Sequence, residues 1–208
     1  MLVPFIALLT SGCIVAVDDQ FCVDEPVDEI VIDVSHGNVK VSADRDLCVE
    51  VDVGGVASAE FRHRVKNGVL SLDYECTACG GDIVVTAPQG ILVDVAMGSG
   101  DLELVGRGGD VFAAVGAGEI TAMKMVSRWT ELATGAGSVD ATWDSKPEFV
   151  SALVAAGGIV LTVPAGEYNL DLETDVGAID VSGIEESSSA ESQITAITST
   201  GRIKIRGK

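Results

Sequence analysis

Apolar residues alternate with polar ones through most of this chain, and glycine breaks the alternation at regular intervals. The recurring phrase is a glycine corner, a polar or small residue, and then apolar, any, apolar. It reads Gly37-Asn38-Val39-Lys40-Val41 and Gly81-Asp82-Ile83-Val84-Val85, then Gly100-Asp101-Leu102-Glu103-Leu104 and Gly118-Glu119-Ile120-Thr121-Ala122. It returns as Gly137-Ser138-Val139-Asp140-Ala141, Gly157-Gly158-Ile159-Val160-Leu161, Gly177-Ala178-Ile179-Asp180-Val181 and Gly201-Arg202-Ile203-Lys204-Ile205. From Gly81 the corners lie 19, 18, 19, 20, 20 and 24 residues apart, and the polar insert from Glu185 to Gln193 lengthens the last interval.

Each corner follows another alternating segment, such as Ile91-Leu92-Val93-Asp94-Val95 or Leu170-Asp171-Leu172-Glu173-Thr174. One period is therefore two short strands joined by a tight corner. Period-two alternation sends successive side chains to opposite faces of a strand. It predicts an inward row running from Val39 and Val41, through Ile120 and Ala122, to Ile179, Val181, Ile203 and Ile205. The outward row is mostly polar, with Lys40, Glu103, Thr121, Asp140, Asp180 and Lys204. No segment sustains a helical period, and only Thr121 to Trp129 reads either way.

Such regularity predicts an all-β fold, a single parallel β-helix (β-solenoid) over residues 30–207 with coils of about 19–20 residues. Glycine at the corners supplies positive φ or close approach to the coil below. An antiparallel barrel or sandwich is the alternative. The terminal strand Arg202-Ile203-Lys204-Ile205-Arg206 carries a base at every outward position and reads as a charge-guarded sheet edge.

Composition narrows the address. The 208 residues carry a formal charge of -19, which disfavours nucleic acid and keeps an untethered chain off anionic lipid. A mean hydropathy of +0.38 excludes a disordered acidic tail. Residues 1 to 17 hold no charge, and Leu2 to Leu9 is an apolar run ending in Thr10-Ser11-Gly12-Cys13. That pattern reads as a signal peptide over 1–12. Small residues before a cysteine resemble the bacterial lipobox, which makes Cys13 the expected lipid attachment and the membrane a partner through that lipid. A plain cleaved signal and an uncleaved anchor are the other readings. The acid-rich stretch 13–29 reads as a tether.

With Cys13 lipidated, Cys22, Cys48, Cys76 and Cys79 remain as disulfide candidates in an exported chain. Three connectivities are open, with Cys22–Cys48 plus Cys76–Cys79 the first choice. A redox role for Cys76-Thr77-Ala78-Cys79 needs a helix N-terminus, and both flanks read as strand.

Catalytic signatures are absent: there is no GxSxG, P-loop or HExxH, and His36 and His63 lie in no ligand spacing. No catalytic residue, metal site or cofactor is expected. Acids beside glycine at Asp82, Asp101, Asp110 and Glu119 offer a calcium-binding alternative. Asp140 and Asp180, on one outer face without a stacked base, offer a carbohydrate-active alternative. Trp129, Trp143, Phe112 and Val160 are candidates for a ligand-stacking patch, or else for packing under loops.

The corners Gly98-Ser99-Gly100-Asp101, Thr134-Gly135-Ala136-Gly137 and Ser199-Thr200-Gly201, with Val163-Pro164-Ala165-Gly166 ahead of Leu170 to Thr174, carry a resemblance. Over about residues 30–207 the chain resembles the bacterial putative-adhesin β-helix family, a domain class of unknown function on envelope and secreted proteins. The resemblance implies a parallel β-helix without assigned catalytic residues. The expected function is a surface-tethered cell-envelope β-solenoid in a structural or adhesive role, with an envelope polysaccharide or protein as partner.

Overall fold

The computed structural model describes residues 15–55, 60–75 and 79–208, with no helix among them. The first strands in chain order are β1 (Val15–Cys22), β2 (Glu29–His36), β3 (Asn38–Ala43), β4 (Cys48–Gly55), β5 (Glu60–Lys66), β6 (Val69–Glu75) and β7 (Cys79–Ala87). The regular middle follows as β8 (Leu92–Ser99), β9 (Leu102–Val105), β10 (Val111–Ala117), β11 (Ile120–Met125), β12 (Trp129–Ala136), β13 (Val139–Trp143), β14 (Phe149–Ala156) and β15 (Ile159–Val163). The chain closes with β16 (Glu167–Ser182), β17 (Glu185–Glu186) and β18 (Gln193–Gly207). Together they form one large mixed sheet of 18 strands. The stretch readable as helix or strand is β11 as far as Met125, ended by Lys124 at φ 55.

Through the middle, strands pair in parallel with the next period, in two ladders. In the first, Val93, Val111, Thr130 and Val150 are register partners along β8, β10, β12 and β14. In the second, Leu102, Ile120, Val139 and Ile159 run along β9, β11, β13 and β15. The inward rows of both ladders are fully buried, including Ile120, Val139, Ile159 and Leu161 at 0% exposure. Each such side chain contributes roughly 1.5–3 kcal/mol through burial.

The corner glycines explain the tight joint. Gly118 and Gly137 lie at φ 150 and φ 148, and a Cβ on either would overlap the carbonyl oxygen of the corner beneath, Gly100 and Gly118 respectively. Threonines at the ends of the first-ladder strands hold these carbonyls: Thr134 Oγ1 donates to Gly118 O at 3.1 Å and Thr198 Oγ1 to Gly157 O at 3.0 Å.

At both ends, spatial order departs from chain order. The β2–β3 pair lies between β6–β7 and β8–β9. At the other end β18 lies between β14–β15 and β16. Several expectations change as a result. The basic segment Arg202–Arg206 is no edge, because β15 and β16 flank it. Ile179 and Val181, expected in the core, are 43% and 40% exposed, because β16 is the outermost layer and nothing described covers its inward row. The expected single parallel helix meets a mixed sheet: β5 pairs antiparallel with β6, β4 with β7, and β1 with β4. Of these pairs β5–β6 is a hairpin, turned at Asn67 and Gly68, whereas β4 and β1 reach their antiparallel partners across two intervening strands each.

The stretch expected as an acidic tether is partly in the sheet. From Val15 it forms β1, and the Cys22–Cys48 disulfide joins directly opposed residues of β1 and β4. The expected signal peptide, Cys13 and Cys76 lie outside the described residues, as does the side chain of Cys79.

Candidate interaction surface

The outward face of the first ladder has an unusual composition. A half-exposed β surface is normally polar at its outward positions. Here one outward column runs Asp33, Ala96, Ala114, Ala133, Leu153 and Ile197 through successive register partners. Small side chains leave a shallow trough of about 660 Å³ along this column, floored by Gly98, Gly116 and Gly135 where the strands approach the corner. Leu153 in its middle is 44% exposed.

A second outward column borders the trough with Asp94, Phe112, Glu131 and Ser151. Beyond it, Trp129 stacks on its register partner Phe149, with ring centroids 4.2 Å apart and an interplanar angle of 27°. Trp129 remains 41% exposed, and its Nε1 donates to Glu131 Oε1 at 2.8 Å, which fixes the ring against the sheet. Face and rim thus combine aromatic platforms, an apolar strip, and the carboxylates of Asp33, Asp94 and Glu131.

The structure divides the expected aromatic patch. Phe112 and Trp129 share this face, whereas Trp143 is buried in the core and Val160 faces outward on the other ladder. Phe149, Leu153 and Ile197 were missed; the sequence signal was an apolar residue recurring at outward positions one period apart. Arg107 was also missed. It is fully buried at the corner before β10 and donates to the carbonyls of Ala87, Pro88 and Ile91 at 3.1, 3.0 and 2.9 Å. Burial lowers its guanidinium pKa to about 10.

Asp82 and Asp101, two acids of the calcium alternative, have other partners. Asn38 Nδ2 donates to Asp82 Oδ1 at 3.0 Å, the Asp101 amide to Asn38 Oδ1 at 3.1 Å, and the Glu119 amide to Asp101 Oδ1 at 2.9 Å. The residues after the corner glycines Gly37, Gly81, Gly100 and Gly118 thereby tie one layer to the next. Among the described residues no group of three or more His, Cys, Asp or Glu is placed to hold a metal ion. Asp140 and Asp180 do share the outward face of the second ladder, but Lys204 stands in the same column, with Nζ 3.8 Å from Asp180. The base missing from the sequence reading is present because β18 enters beneath β16. His36 ends β2 exposed, and His63 on β5 stacks on Phe21 with centroids 4.0 Å apart.

No protein-family model and no curated protein matches the sequence. Solved structures do. A putative cell adhesion protein from Clostridium sporogenes superposes with TM-score 0.58 at 15% identity, over 93% of this chain and 100% of that one. A putative adhesin from Bacteroides fragilis gives TM-score 0.50 at 14% identity, over 93% of this chain and 97% of that one. At these identities the likeness is one of fold.

Proposed function

We propose that this chain is a cell-envelope β-solenoid, tethered through lipid on Cys13, that binds by the outward face of its first ladder and performs no catalysis. The in-register parallel middle supports the solenoid reading, with the antiparallel strands serving as end pieces. The neighbours named as adhesins support an address at the surface.

The observation that carries the binding role is the apolar trough flanked by the stacked Trp129 and Phe149. Aromatic faces beside carboxylates suit the C–H faces and hydroxyls of a sugar ring, so an envelope polysaccharide is the favoured ligand. Titration of envelope polysaccharide fractions should shift the fluorescence of exposed Trp129, while buried Trp143 stays silent. Trp129→Ala should weaken binding by about tenfold or more, the scale of a central aromatic contact. Unchanged binding by that variant would remove this face from consideration. For the tether, Cys13→Ala should move the chain from the membrane fraction to the soluble fraction.

A further inference from the structure

The two ends of the first ladder are complementary, and we infer that copies of this chain associate head to tail through them. At one end β16 is an open strand. From Asn169 onward it pairs with β18 on one side, and on the other with nothing among the described residues, since β17 reaches only Glu167 and Tyr168. Its backbone donors and acceptors are therefore free to accept another strand. Its inward row is unfinished core: Leu170 and Leu172 are half-buried, and Ile179 and Val181 are exposed. Its outward row is acidic, with Asp171 and Glu173 exposed and no base on the strand.

At the opposite end of the same ladder the last strand is β5, which pairs only with β6 among the described residues. Its register sets Arg62 and Arg64 opposite Asp73 and Ser71, on the outward face, and Phe61 and Val65 opposite Tyr74 and Leu70, on the inward face. Phe61 and Val65 pack against the core, while Arg62, Arg64 and Lys66 are exposed. Glu60 begins the same outward row and pairs with Arg62 at 2.6 Å, so the row is net basic through Arg64 and Lys66, at the end opposite the acidic edge of a chain of charge -19.

A second copy placed end to end brings β5 antiparallel to β16, since β5 runs against the ladder. A register that keeps inward rows inward can set Arg62 and Arg64 among Asp171 and Glu173, with Val65 among the leucines. Pairing β16 with another β16 would oppose acid to acid, and β5 with β5 base to base, so a two-fold dimer is disfavoured. In the second ladder the matching end is β1, whose Asp18 and Asp19 bring no base, so the attraction resides in the first ladder. A contact between different surfaces of identical copies leaves an unused end on each, so it propagates as a filament unless its rotation closes a ring.

The test is sedimentation velocity on the full chain across a concentration series. The parent should form a ladder of species beyond the dimer. Arg62→Glu with Arg64→Glu should weaken assembly at least about tenfold, as should Asp171→Lys with Glu173→Lys. An equimolar mixture of these two variants, or one chain carrying all four changes, should assemble again. All four side chains are exposed, and matching thermal melts verify that the variants fold. A parent that stays monomeric, assembly insensitive to either reversal, or failure of the mixture to reassemble would each overturn the proposal.

Discussion

Ile203 on β18 and Ile179 on β16 occupy the same place in the same phrase and are register partners, yet Ile203 is fully buried and Ile179 is 43% exposed. The difference lies in what stands on the far side. β18 has a layer above and below, whereas β16 has β18 on one side and an open edge on the other. Place in the stack, rather than the local phrase, sets the worth of each isoleucine.

The contrast breaks most visibly in the interior. Ile203→Asp places an unpaired charge between two layers and should cost about 4 kcal/mol or more, read as a drop in the urea midpoint. Gly118→Ala, in a middle corner, must meet the Gly100 carbonyl at φ 150, and a loss of about 2–4 kcal/mol is expected in thermal melts. A value near zero would mean the corners are not packed as described.

The end layer holds one closed position. Tyr168 is fully buried beside β17, its hydroxyl donating to Pro164 O at 2.8 Å, and burial pushes its pKa up to about 12. The folded-state pKa is raised, so its contribution is complete below pH ~10 and is lost as pH rises towards ~12. Tyr168→Phe should flatten that part of the stability profile, measured by denaturant titration at stepped alkaline pH. Ile179→Asp, on the open row, should cost under about 1 kcal/mol. If it matches Ile203→Asp, β16 is covered and the comparison fails. Lys204→Ala removes a partly exposed pair with Asp180 and should change stability by about 0.5 kcal/mol or less.

The phrase, the corners and the inward rows were legible in the sequence because each period repeats the same packing problem. That very repetition hides the order of the layers. A layer that presents a glycine carbonyl and two aliphatic residues can accept any other layer, so Gly157 accepts Gly201 where the spacing pointed to Gly177. What decides the order is slack in the connections, and the polar insert before Gln193 gives β18 the length to turn back beneath β16. The face proposed for binding was half legible. Trp129 and Phe112 stood out by size, whereas the column Ala96, Ala114 and Ala133 becomes a surface only once the strands are laid side by side. Arg107 gave no signal, since its carbonyl partners come from a loop with no sequence mark of its own.

The position of β18 also bears on how the chain is completed during synthesis. β16 is made first, but from Asn169 onward it has no neighbour among the described residues until β18 arrives and bridges it to β15. A chain interrupted at the insert would forfeit the attachment of a layer already synthesised. The outermost layer is therefore a readout of completion, present in ordered form only on chains whose final strand has crossed, and an antibody against the exposed row of Ile179 and Val181 would report the moment of closure.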